Sequence, residues 1–166
     1  MIWRIRIGKW RLTFTIARVT DVIGVNSKLP DGKHILMWDF DDVPLKDVIT
    51  ALMDVQADYE LPNIYIVNSG KKNHYMAYCF KRTDWRKAVQ IVINTKHVDY
   101  AFIKYGLYRE HFTLRVSPKN GRKIKHICTL PGFTEEDADI KELRSWVKYE
   151  TLEDGQKIKI KEWRWK

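Results

Sequence analysis

Residues 34–40, HILMWDF, followed at once by DDVPLKDVITALMDVQAD, constrain the fold more than any other stretch of the chain. Ile35 to Trp38 make an unbroken apolar run of strand length, which predicts a strand buried in the interior. The run ends in acid, with aspartates at positions 39, 41 and 42. Pro44 then suits the first turn of a helix, where its missing N–H has no partner to lose. Val48, Leu52 and Val55 give residues 44–58 an apolar stripe at helical spacing. A strand therefore delivers a knot of carboxylates to its end, and a helix starts directly after it.

The order of the next elements extends the pattern. Residues 63–68 (NIYIVN) and 74–80 (HYMAYCF) read as strands. Thr83 or Asp84 can cap a helix running to Asn94, with Trp85, Ala88, Val89, Val92 and Ile93 inward. Residues 97–106 read as a second short helix and 111–116 (HFTLRV) as a fourth strand. This is β-α-β-β-α-β, the ferredoxin-like or RNA-recognition (RRM) arrangement, an α+β class. Ahead of it, Trp3, Ile5 and Ile7 alternate with arginines, turn at Gly8-Lys9, and face a second alternating run through Ile16. That pattern predicts an N-terminal β-hairpin. A glycine- and proline-containing loop, 24–33, joins it to the opening strand. After the core, Thr134 can cap a helix over 134–145, with Glu135, Glu136 and Asp137 in its positive first turn. A last hairpin is expected around Asp154-Gly155, with Ile158, Ile160 and Trp163 on its return strand. The expectation is one domain, 1–166, comprising a hairpin module (1–33), a catalytic core (34–120) and a C-terminal extension (121–166).

The formal net charge is +9 and the pI about 9.5, which points to a polyanionic partner. Seven tryptophans and eight tyrosines can supply stacking platforms. Arg4, Arg6 and Arg11 would share one hairpin face and offer contacts to a nucleic-acid backbone. Cys79 and Cys128 lie too far apart for a CxxC metal pair and read as buried thiols. No window is apolar enough for a membrane span, and the first residues lack a signal-peptide core. The expectation is therefore a soluble, cytoplasmic protein with no membrane partner.

Asp39 and Asp41 stand at i and i+2, which on a strand points both carboxylates to one side. Such a pair repels itself unless a cation lies between, and Mg²⁺ or Mn²⁺ prefers these hard oxygens together with substrate phosphates. The competing reading makes Asp39 or Asp42 a helix cap and Asp41 a turn residue. Ser69, Gly70, Lys71, Lys72 and Asn73 form the next loop, and His74 opens the strand after it. Backbone N–H groups, lysine charges and an imidazole suit a triphosphate. Asp99 follows the second helix and can be a third carboxylate or a cap. Arg115 and Lys119 can neutralise phosphate.

These motifs in this order resemble the archaeo-eukaryotic primase superfamily. "MWDFD" matches its D-x-D, "SGKKNH" its serine-to-histidine motif without the second glycine, and "HVD" its apolar-Asp motif. The resemblance covers residues 34 to about 120. It implies a primase or primase-polymerase, that is, a DNA-directed nucleotidyltransferase of DNA replication. Asp39, Asp41 and Asp99 would hold two divalent ions. Ser69 and His74 would hold the phosphates of an NTP or dNTP, with Arg115 and Lys119 in the basic stretch beyond. The partners implied are a single-stranded DNA template and, for so short a chain, a replication partner subunit or helicase.

Two alternatives remain. One is a single-stranded nucleic-acid-binding RRM-like module without chemistry, stacking bases on Trp38, Phe40, Tyr75 and Tyr78. The other is a metal-dependent nuclease or rolling-circle initiator, which needs a His-apolar-His pair that the sequence lacks.

Overall fold

The computed structural model describes residues 1–152 and 160–165, with side chains described through Thr151. Its architecture is α+β, with antiparallel sheets and three α-helices among the described residues. The hairpin forms as expected. β1 (Ile2–Ile7) and β2 (Trp10–Thr15) pair antiparallel, with Arg6 opposite Arg11 and Arg4 opposite Thr13. Opposed residues share a face, so the three arginines line one side.

β3 (Val19–Asn26) follows, then β4 (His34–Phe40) and α1 (Leu45–Asp58) with Pro44 at its N-cap. β5 (Ile64–Asn68) and β6 (Tyr75–Thr83) lead to α2 (Trp85–Asn94), α3 (Tyr100–Arg109) and β7 (Thr113–Arg115). β8 (Lys125–Leu130) completes a four-stranded antiparallel sheet in the order β4-β6-β5-β8. β9 (Trp146–Leu152) joins β3 and β7 in a second sheet, ordered β7-β3-β9. β10 (Ile160–Trp165) pairs parallel with β1.

The main sheet carries its helices on one face. Trp38 lies on that side, and its Nε1 donates to Thr95 Oγ1 at 2.9 Å just beyond α2. Ile35, Leu36, Met37, Trp38 and Phe40 are fully buried, as are Val48 and Leu52 of α1. Each such side chain stabilises the fold by about 1.5–3 kcal/mol. Because strand residues alternate, Asp39 faces the opposite side, which the second sheet covers. Phe112 stacks on Phe102 at 4.9 Å and meets Trp85 at 5.0 Å, which locks α3 and α2 against the entry to β7.

Several expectations need correction. Of the strand expected over 111–116 only Thr113–Arg115 forms, and this β7 pairs with β3 rather than extending the main sheet. β3 includes residues 24–26, expected to be loop, and these are the residues that pair with β7. β8, beside β5, is the fourth strand of the main sheet. No helix spans 134–145; only a 3₁₀ turn, Ile140–Glu142, forms there. The acids expected in its first turn are engaged elsewhere. Asp137 pairs with Lys81 at 3.2 Å, its N–H bonds to Phe80 O, and Thr134 Oγ1 donates to Glu60 O. Asp84 leaves its capping role open and pairs with Lys33 instead. Ile93 is exposed, and Ile91 occupies the inward position.

The expected last hairpin is not one either. β9 pairs with β3, and β10 pairs with β1. The Asp154-Gly155 turn and Ile158 lie outside the described residues. β3, β7 and β9 come from the hairpin module, core and extension respectively, yet they form one sheet. Cys79 is buried, and burial pushes its thiol up to about 12; Cys128 is half-buried. Among the described residues no helix is long and apolar enough to cross a membrane.

Candidate active site

A cleft of about 380 Å³ opens between the two sheets. Asp39 and Asp41 line it from the end of β4, and Ser69, Lys71 and His74 line it from the β5–β6 connection. Arg115 of β7 and Lys119 just beyond face them from the other side. Seven residues singled out in the sequence, from four separate segments, thus share one concavity. Met76, directly opposite Asp39 in the ladder, forms part of its floor.

Asp39 is the electrostatic centre. Burial raises its carboxyl from 3.8 to about 7, with the Asp41 and Asp99 charges adding to the shift; the Phe40 N–H and Arg115 oppose it. Asp99 belongs to a different side of the same residue. Its backbone N–H donates to Asp39 O at 2.8 Å, and its Oδ2 accepts from Phe102 N–H at 2.7 Å, capping α3. Asp39 and Asp99 line a smaller cavity of about 160 Å³ that does not include Asp41. The carboxylates therefore form two pairs that share Asp39, not one cluster. Among the described residues, no group of three or more His, Cys, Asp or Glu side chains forms a ready metal cage. Magnesium sites rarely use such cages; one or two carboxylates plus substrate phosphates hold the ion. Two adjacent pairs around one desolvated carboxylate fit that donor chemistry.

His74 is placed differently from the phosphate grip expected of it. It is buried, its Nδ1 contacts Asp41 Oδ1, and its Nε2 lies 3.0 Å from Asp42 Oδ1. The ring, held between two carboxylates, orients Asp41. Asp42, with φ at +59°, turns the chain so that its carboxylate reaches the ring.

The β5–β6 loop is built by Asn68, which the sequence reading passed over. Its side-chain amide donates to Lys71 O at 2.9 Å and His74 O at 3.0 Å, and its Oδ1 accepts the Gly70 N–H at 2.8 Å. Asn-x-Gly at a strand end is the usable signal, because asparagine bonds its own backbone two residues on. Gly70 sits at φ +87°, and a Cβ there would stand 2.7 Å from Arg122 Cβ. It is a point of close contact between two loops. Lys72 is exposed and does not line the cleft. Ser69 contributes its backbone as well: its N–H donates to His74 O at 3.1 Å, and its carbonyl accepts from Arg115 Nη2 at 2.6 Å.

Arg115 is half-buried, and burial lowers its affinity for its proton without discharging it. Lys119 and Arg122 flank a two-residue turn, Asn120-Gly121, with reciprocal backbone bonds of 3.1 and 2.9 Å. Positive φ at both turn residues marks the type I′ hairpin geometry. Arg122 and Tyr149 complete the basic wall. The Asn-Gly pair could have disclosed Arg122 in the sequence. Nothing local discloses Tyr149, whose place depends on β9 pairing with β3.

Arg4, Arg6 and Arg11 do not line the cleft. Trp38, Phe40 and Tyr75, proposed as stacking platforms, are buried and cannot take a base; Tyr78 is half-buried. No protein-family model matches the chain, and no characterised protein or solved structure is significantly similar to it.

Proposed function

We propose that the protein is a two-metal nucleotidyltransferase, a primase or primase-polymerase that adds nucleotides to a strand on a single-stranded DNA template. The observation that carries this reading is the composition of the inter-sheet cleft. On one side lie Asp39, held in a desolvated position, and the exposed Asp41, with Lys71 of the β5–β6 loop beside them; facing them are Arg115, Lys119 and Arg122. A nucleoside triphosphate with its divalent ion needs that polarity: carboxylates toward the cation, guanidinium and ammonium groups toward the phosphates. Mg²⁺ or Mn²⁺ would be held by Asp39 with Asp41, and by Asp39 with Asp99. Bound there, the ions supply a more acidic acceptor hydroxyl and charge stabilisation for the leaving pyrophosphate.

The chain's own groups do the rest by position. Arg115 and Lys119 hold phosphate oxygens. His74 fixes Asp41, and Asn68 fixes the loop that presents Lys71. The acceptor oxygen bonds to the α-phosphorus, the α–β bridging bond breaks, pyrophosphate leaves, and the hydroxyl proton passes to water. Positioning and charge account for the rate in such transfers. The strand order supports the reading in part: β4, β6 and β5 lie side by side as the first, third and second strands of an RNA-recognition arrangement would, while β8 beside β5 and β7 beside β3 depart from it. A helicase or a second replication subunit would be its partner. The test is incorporation of labelled ribo- or deoxynucleotides on single-stranded DNA with Mg²⁺ or Mn²⁺. Wild type should incorporate and Asp39→Ala/Asp41→Ala should not. A folded wild type that incorporates nothing while still binding DNA would return the protein to the class of binding modules.

A further inference from the structure

α3 carries a surface that the reading above leaves unused. Tyr100 is 76% exposed, Tyr108 87% and Tyr105 54%. At 100° per residue, Tyr100, Lys104, Tyr108, Tyr105 and Arg109 fall on one half of the helix. The buried Gly106 and the half-buried Phe102 lie toward the other half, against Phe112. Arg109 lies over the Tyr105 ring at 5.6 Å. Residues 100–109 contain no acid, so this face carries three tyrosines and two cations around the small Ala101.

This face is joined to Asp39. The small cavity on the Asp99 side of Asp39 is also lined by Tyr105, Arg109 and His111. The Asp99 cap and the Asp99 N–H to Asp39 O bond fix the start of α3 against the end of β4. Asp39 therefore has two concavities on its two sides. One is large and basic; the other is small, and it opens onto exposed tyrosines.

We infer that the tyrosine face of α3 and the Asp99-side cavity form a binding track for a single DNA strand, which delivers its 3′ end to Asp39 from the side opposite the triphosphate. The inference rests on the nucleotidyltransferase reading for its direction, because transfer needs an acceptor on one side of the shared carboxylate and a triphosphate on the other. The track itself rests on α3. Tyr105 and Tyr108, about one turn apart, offer π-faces to successive bases with Tyr100 farther along the helix, and Lys104 and Arg109 meet the backbone. Residues 100–109 carry cations and no acid, which favours a polyanionic strand over a protein surface of mixed charge.

Binding of a fluorescently labelled oligodeoxythymidylate, measured in EDTA so that no transfer occurs, tests the track apart from the chemistry. Tyr105→Ala/Tyr108→Ala should weaken binding at least about tenfold, given the usual worth of base stacking. Tyr105→Phe/Tyr108→Phe should bind as wild type. All these side chains are exposed, and circular dichroism checks that each variant is folded. Equal affinity of the alanine variant and wild type overturns the inference, as does a wild type that fails to bind. A protein ligand recovered on the same face with no DNA binding overturns it too. Polarity is read with 2-aminopurine at either end of the strand. Its fluorescence should be quenched at the 3′ end and not at the 5′ end, and the quenching should vanish in Tyr105→Ala; equal quenching at both ends overturns the orientation. If nucleotide incorporation is absent while the track binds with 3′ polarity, the chemistry has failed and the track stands.

Discussion

The inter-sheet cleft and the N-terminal hairpin were both legible as charged, nucleic-acid-directed features, yet only one of them converges. In the cleft, charges from β4, the β5–β6 loop, β7 and the Asn120-Gly121 turn meet around a buried carboxylate. In the hairpin, Arg4, Arg6 and Arg11 share a face, but the apolar row on the other face stays open: Trp10 is 80% exposed and Phe14 56%. Alternation makes a strand; burial requires a second surface to meet it. A charge does specific work where tertiary structure removes water around it, and generic work where it does not.

The sharpest way to break that contrast is activity. Asp39→Ala should lower nucleotide incorporation by about a thousandfold or more, since charge stabilisation by a held metal ion is worth several kcal/mol. Arg4→Ala/Arg6→Ala/Arg11→Ala should retain the chemical rate at saturating template. Single-turnover incorporation with each variant checks both. If the hairpin variant loses the chemical rate while Asp39→Ala keeps it, the cleft is not the centre.

A second test uses pH. In the unfolded chain Asp39 releases its proton near 3.8; in the fold it keeps it to about 7, because of burial and then the Asp41 and Asp99 charges. Between those values the folded state binds more protons, so its stability falls as pH rises, and the loss is complete above about 7. The shift is about three units, so the penalty at pH 8 is up to about 4 kcal/mol. Asp39→Asn should raise the urea midpoint at pH 8 and leave it nearly unchanged at pH 4. Mg²⁺ or Mn²⁺ should stabilise the wild type at pH 8 and not Asp39→Asn. A variant less stable than wild type at pH 8 would show that the carboxylate is compensated rather than strained.

Backbone tests separate the two regions by packing alone. Gly70 at φ +87° has Arg122 Cβ and Lys123 O within 2.9 Å of where a Cβ would stand. Gly8 at φ +55° has nothing within 4 Å. Gly70→Ala should cost about 2–3 kcal/mol, through both conformation and collision, and Gly8→Ala about 1 kcal/mol through conformation. Denaturant unfolding followed by tryptophan fluorescence measures both. Equal costs would mean that the loop carrying Lys71 gives way, and that the cleft is less tightly built than its contacts indicate.

What the sequence disclosed follows the same line. β4, α1, β5, β6 and α2 each carry a local periodicity, and local periodicity is what a chain shows before it folds. Asp39, Asp41, Ser69, Lys71, His74, Arg115 and Lys119 were found because they end or join such elements. The failures all involve long-range competition. β7 pairs with β3, and in place of a 134–145 helix Asp137 pairs with Lys81 and Glu136 accepts from Tyr65. No pattern within Thr134–Ser145 reveals that a lysine some fifty residues earlier outbids the helix dipole for Asp137. The same holds for Tyr149, which reaches the cleft only through the pairing of β9 with β3.

The smallest expected effect belongs to the hairpin, and it is the one that tells whether its arginines touch DNA at all. Each arginine that neutralises a phosphate of a single strand contributes about 0.7 to the slope of log affinity against log salt. Replacing Arg4, Arg6 and Arg11 by alanine should therefore reduce that slope by up to about 2 and leave the affinity at high salt almost unaltered. Exposed charges are screened within about 10 Å at 0.1 M salt, so their contribution fades where the stacking term of α3 persists. Binding isotherms over a salt series, in EDTA, measure the difference. An unchanged slope would make the hairpin arginines a solvated face; a loss of affinity that persists at high salt would mean that the open aromatic row beside them also meets the strand.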